Sequence, residues 1–149
     1  MKLYIGSDHA GFDLKERLKH LLVEKGHDVK DLGGTALDPT DDYPDAAHAV
    51  ATHVAQDHDA KGVLLCGNAE GVCIVANKTD GVRAGIGYAQ AATEGARRDD
   101  DINVLCLPGR LMSFKDASAN VEAFLQTPFS GAPRHKRRLK KIEDIEDNN

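Results

Sequence analysis

Several features that mark large protein classes are missing from this chain of 149 residues. No apolar run approaches the roughly 18–20 residues of a membrane-spanning helix, so no transmembrane segment or membrane partner is expected. Three cysteines contain no Cys-x-x-Cys pair, and seven histidines contain no His-x-x-x-His pair. That spacing supports neither a disulfide framework nor a metal site, and reduced thiols in a cytoplasmic setting are the expectation. The Met1–Asp8 segment meets an acid too early for a secretory signal. A broad basic excess is also absent: 19 Lys plus Arg stand against 24 Asp plus Glu, a net charge of −5. Duplex nucleic acid asks for a wide basic face, so no nucleic-acid partner is expected.

What remains is a globular composition, 41% hydrophobic and 29% charged. The length suits one domain over residues 1–149, with residues 133–149 as a C-terminal helix and tail. The charge is uneven. Residues 134–141 hold six basic side chains and no acid, whereas residues 1–133 hold 13 basic and 20 acidic groups. An acidic body with one basic segment points to a local anion site.

Leu3–Gly6 is a short apolar run closed by Ser7-Asp8-His9-Ala10-Gly11. Phe12, Leu14, Leu18, Leu21 and Leu22 then recur near helical spacing up to Lys25-Gly26, where glycine suits a helix end. Residues 28–32 alternate as a strand. The unit repeats with a small-residue helix over 46–55, a fully apolar strand over 62–66, and a helix running from Gly67 towards Lys78. Strands over 81–86 and 103–107 and helices over 89–98, 113–125 and from 133 complete the pattern. The predicted architecture is a Rossmann-like three-layer α/β/α sandwich around a five-stranded parallel sheet, plus a C-terminal helix. Ligands in such sheets sit beyond the carboxyl ends of the strands, which singles out loops 7–11, 66–71 and 108–110.

Cys66 ends the most apolar strand and precedes a glycine-containing turn into a helix. Position leaves two readings open for it: a small buried core residue, or a thiolate favoured by the helix N-terminus. Free N–H groups there can also hold an oxyanion formed beside the sulfur. Cys73 and Cys106 sit within apolar elements and read as core. The loop Gly67-Asn68-Ala69-Glu70-Gly71 fits neither the Walker A nor the dinucleotide fingerprint. Asp8 and His9 offer an acid–base pair at the ligand end of the sheet, Asp8 alternatively capping the helix that follows. Arg134 and Arg138, four apart, share a helix face suited to a phosphate or to solvent.

Together these segments resemble the ribose-5-phosphate isomerase B and galactose-6-phosphate isomerase family. The resemblance rests on Gly6–Gly11, Asp42-Tyr43-Pro44, Cys66-Gly67, Ala76-Asn77-Lys78 and Gly81–Ala84, followed by Asn103-Val104-Leu105, Gly109-Arg110, Arg134-His135 and Arg138. It implies interconversion of aldose and ketose phosphates through an enediolate, without cofactor or metal. By the same resemblance Cys66 is the base, loop 67–71 holds the enediolate, Asp8 and His9 contact the sugar, and Arg110, Arg134 and Arg138 contact substrate, mainly its phosphate. Family members are dimers or tetramers in which the C-terminal arginines reach the neighbouring subunit's site, so the resemblance implies a homodimer or homotetramer with a shared active site. The active loops depart from the family pattern. Ala69 and Glu70 stand in a loop where the family has Thr/Ser-Gly-x, and Asp99-Asp100 stand where ring-opening members have His-Asn. Asp99 is therefore the candidate acid and Asp100 a candidate binding residue. The competing reading is a catalytically altered or silent sugar-phosphate-binding homologue or regulatory subunit.

Overall fold

The computed structural model describes all residues from Met1 to Asn149. Strand β1 (Lys2–Ser7) is buried from Leu3 onward and leads through a 3₁₀ turn (His9–Gly11) into helix α1 (Phe12–Glu24). Gly26, at φ 89°, stops that helix in the left-handed conformation that glycine accepts without strain. Next come β2 (Asp28–Asp31), α2 (Tyr43–Gln56, with Pro44 in its first turn), β3 (Lys61–Cys66) and α3 (Glu70–Ala76). The second half comprises β4 (Ala84–Ile86), α4 (Gln90–Asp100), β5 (Val104–Pro108), α5 (Phe114–Gln126) and α6 (Pro133–Asp147). No helix is long and apolar enough to cross a membrane.

The five strands form one parallel sheet in the order β2-β1-β3-β5-β4. Period-two alternation divides the core between its faces. Leu3, Ile5, Val63, Leu65, Leu105 and Leu107 pack with Leu14, Leu18 and Leu22 of α1 and Val121 and Phe124 of α5. Tyr4, Leu64, Cys66, Val104 and Cys106 face the other way, onto Ala47, Val50, Ala51 and Val54 of α2 and Val72 and Ala76 of α3. This is the three-layer sandwich that the hydrophobic pattern predicts. The shortest strand differs from its expected span. The sequence suggests 81–86, but Gly81 turns at φ 81° and β4 starts only at Ala84. Asn103 holds the preceding turn, accepting from the Arg83 N–H and donating to the Gly81 carbonyl.

The chain leaves β1 towards β2 on one side and returns to place β3 on the other, so β1 and β3 flank a topological switch point. The loops after these two strands diverge there and open a crevice.

Candidate active site

That crevice is a cleft of about 550 Å³ lined by residues from four segments. Asp8, His9 and Ala10 come from the turn after β1, Cys66, Gly67, Asn68, Glu70 and Gly71 from the end of β3 and the turn after it, Arg110 and Leu111 from the loop after β5, and Tyr43 from the start of α2. Close approach of small residues lets the loops converge. A Cβ on Gly11 would lie 2.6 Å from Leu65 Cβ, so only glycine lets the 3₁₀ turn rest on β3. A Cβ on Gly71 would lie 2.6 Å from the Tyr43 ring, which seats against the start of α3.

Cys66 is buried at the last position of β3, with only 4% of its surface exposed. Above it the chain turns sharply. Ala69 takes the left-handed conformation at φ 68° and is wholly buried, so the departure from glycine falls on a position that does require a positive φ. Of the N–H groups from Gly67 to Val72, only that of Glu70 finds an acceptor within the chain, Asn68 Oδ1 at 3.2 Å. The others form a set of unspent donors at the start of α3, the arrangement expected of a cradle for negative charge. Arg110 lies over this turn: its N–H donates to the Gly67 carbonyl at 3.1 Å, and its side chain packs against Gly67. The chain's arginine ion pairs belong to Arg83, Arg97 and Arg98, which leaves the Arg110 guanidinium uncommitted.

Asp8 is buried, and its Oδ1 accepts from the N–H groups of Ala10 and Gly11 at 3.0 and 3.2 Å. It caps the 3₁₀ turn and also lines the cleft, so both readings of its sequence position apply. His9 is tied to a residue that sequence reasoning assigned no role. Asp41 Oδ1 accepts from the His9 backbone N–H and lies 2.8 Å from its ring Nδ1. That hydrogen bond raises the imidazole pKa; desolvation opposes the rise, the charges of Asp8 and Asp41 add to it, and Arg110 opposes it. Glu70 and Asn68 are exposed at the cleft rim.

The remaining candidates lie elsewhere. Helix α4 runs back from the carboxyl end of β4, so Asp99 and Asp100 lie near the amino end of β5, where Asp101 pairs with Arg83 and Arg97. Cys66 pairs with Pro108 at the opposite end of that strand. Arg134 and Arg138 are exposed on α6, whose first turn adjoins the end of α4: the Ser130 N–H donates to the Arg98 carbonyl at 3.0 Å, and buried His135 places Nε2 3.7 Å from Asp99 Oδ1. Within one chain, therefore, Asp8, His9, Arg110 and residues 66–71 come together. Asp99, Asp100, Arg134 and Arg138 form a separate group. Cys106 is fully buried, which pushes its thiol well above the usual range, and Cys73 donates to the Ala84 carbonyl; both serve the core. No group of three His, Cys, Asp or Glu side chains is placed to hold a metal ion.

Comparison with known proteins matches residues 3–142 to the family described as Ribose/Galactose Isomerase. The ribose-5-phosphate isomerase B of Mycolicibacterium paratuberculosis is 38% identical over 98% of this chain and 92% of its own. The probable ribose-5-phosphate isomerase B of Mycoplasma pneumoniae is 43% identical over 94% of this chain and 91% of its own. Among solved structures, ribose-5-phosphate isomerase B from Mycoplasma genitalium with bound ribulose-5-phosphate superposes with a TM-score of 0.95 at 39% identity, covering 99% of this chain and 97% of that one.

Proposed function

The chain belongs to the ribose/galactose isomerase family, and on that premise we propose the reaction its cleft performs. It is an aldose–ketose isomerase acting on a pentose phosphate, with ribose 5-phosphate and ribulose 5-phosphate as the substrate pair. A C–H beside a carbonyl is weakly acidic, so the site must supply a base and also hold the oxyanion left behind. Cys66 is the base. Its thiolate takes the C2 proton of the open-chain aldose, and the electron pair forms the C1–C2 double bond of an enediolate. The proton returns at C1 while a second proton passes from O2 to O1, giving the ketose. The observation that carries this reading is the buried thiol beneath a turn with unspent N–H groups, beside an uncommitted arginine. The N–H groups of Gly67, Asn68, Ala69 and Gly71 hold the enediolate, Asp8 and His9 contact the substrate, and Arg110 meets the phosphate. Glu70, at the rim, is the second base in line.

The separate group completes the site from a second copy. Asp99, Asp100, Arg134 and Arg138 lie at one place, where α4 ends and α6 begins, and a homodimer or homotetramer brings that corner to the neighbour's cleft. Asp99 then acts as the ring-opening acid, Asp100 binds the sugar, and the two arginines clamp the phosphate.

Solvent deuterium exchange into ribose 5-phosphate tests the base assignment. Cys66→Ala is expected to lose at least about 100-fold in exchange and isomerisation while keeping its melting behaviour. Activity retained within about tenfold moves the base to Glu70, which Glu70→Gln then checks.

A further inference from the structure

Asp41 lies 32 residues from His9 in the chain, yet one of its carboxylate oxygens makes two contacts of 2.8 Å to that residue, at the backbone N–H and at ring Nδ1. The segment between β2 and α2 delivers it by design of its own turn. Asp38 Oδ1 accepts from the N–H and hydroxyl of Thr40, and the Asp38 carbonyl accepts from the Asp41 N–H at 3.2 Å. Asp41 is largely shielded, with 23% of its side chain exposed, and His9 keeps 32% open to the cleft. A carboxylate at Nδ1 keeps that nitrogen protonated in either state of the ring, so the titrating proton is the one on Nε2, the nitrogen free for a ligand, and only the imidazolium carries an Nε2–H donor. Beside it stands the uncommitted guanidinium of Arg110.

We propose that Asp41 is a positioning residue, which holds His9 so that its Nε2–H and Arg110 together grip the phosphate of the sugar phosphate. This rests on the isomerase reading above and assigns His9 to the anionic end of the substrate. Two donors of fixed direction suit a phosphate dianion better than one flexible arginine does, and a cationic imidazole supplies a charge-assisted bond. Other charged or titratable groups around the ring fit the assignment. Asp8 lies in its own turn, Asp38 in the Asp41 segment, and Cys66, Glu70 and Tyr43 across the cleft. The neighbouring carboxylates favour the charged ring and Arg110 disfavours it, while the Asp41 hydrogen bond is the largest influence. As pH rises through the elevated His9 pKa, the grip weakens and KM rises before kcat changes.

The test combines histidine nitrogen NMR of the ligand-free protein, titrated with inorganic phosphate, and steady-state kinetics on ribose 5-phosphate. In the unmodified protein His9 is expected to carry its proton on Nδ1, to titrate above the ordinary imidazole range, and to shift on addition of phosphate. Asp41→Asn keeps an oxygen acceptor but removes the charge. Its His9 midpoint is expected to fall, and KM at neutral pH to rise about tenfold with kcat within about twofold. Asp41→Glu restores part of both. If Asp41→Asn leaves the His9 titration and KM unchanged while lowering only the melting temperature, Asp41 is a loop latch and the proposal is wrong. If no sugar phosphate is isomerised but phosphate still shifts His9 in an Asp41-dependent way, the isomerase reading fails and the phosphate grip stands.

Discussion

Ala69 concentrates at one residue the tension between this chain's sequence and its fold. Its φ of 68° lies where a Cβ costs about 1 kcal/mol or more, yet its methyl is wholly buried with Val72, Leu64 and Cys66. Burying that methyl is worth about 0.8 kcal/mol, so the two effects nearly cancel. Ala69→Gly should therefore leave stability within about 1 kcal/mol of the unmodified chain in denaturant unfolding. Ala69→Val should lose about 2 kcal/mol or more, because a β-branched side chain resists that conformation and has no room to expand. A stabilised valine variant would show that the turn above Cys66 is not held in this geometry. The identity of residue 69 could be read from the sequence as a departure. That the departure falls at a left-handed position shows only in the folded backbone.

Among the elements, α1 does more than cover the sheet. Lys15 on its buried face has no exposed surface and donates to Asp31 Oδ2 at 2.7 Å and to the carbonyls of Gly33 and Gly34. It ties the end of β2 and the start of the following segment to the helix, and that segment carries Asp38 and Asp41 to the cleft. Lys19 donates to the same Asp31 oxygen at 2.9 Å. Burial opposes the Asp31 charge, but the hydrogen bonds from Lys15 and Lys19 outweigh it and hold the carboxyl below its usual range. A carboxyl depressed in this way stabilises the fold above its unfolded pKa, and the contribution disappears as pH falls through the depressed value. Lys15→Met should cost about 3 kcal/mol near neutral pH, since it leaves the Gly33 and Gly34 carbonyls without that donor and Asp31 with Lys19 as its one remaining cation. It should also flatten the loss of stability on acidification, measured as melting temperature against pH. An unchanged acid limb in the variant would mean that Lys15 and Asp31 are not coupled. The helical spacing of α1 made its core face plain, but placed no lysine on it. Only Asp31 and the carbonyls brought together at the end of β2 make a buried ammonium tolerable there.

At the scale of the whole molecule, one chain brings Cys66, the turn with unspent N–H groups and Arg110 to its cleft, and carries Asp99, Arg134 and Arg138 away from it. A shared site predicts complementation between two defective chains. Cys66→Ala and Arg134→Ala/Arg138→Ala should each be nearly inactive alone. Co-expressed, they should recover roughly a quarter of the activity per protein, because half the dimers are mixed and each has one intact site. No recovery from demonstrably mixed dimers would confine each site to a single chain. The strand and helix pattern, the parallel sheet and the loops facing the ligand were legible in the order of apolar runs, glycines and polar turns, because burial imposes its period directly on the sequence. So were Cys66, His9 and Arg110, since Cys66 ends one strand and the other two lie two residues beyond the ends of theirs. Asp41 was not legible, because a polar residue in an eleven-residue segment between β2 and α2 has no period, and its partner is fixed only when the segment folds back over the turn after β1. Nor was the separation of Asp99 from Cys66, whereas that of Arg134 was implied by the family resemblance alone. Sequence patterning determined which elements form and which face of each is buried; tertiary structure decided which polar ends meet, because those meetings depend on strand order and helix direction across the entire sheet.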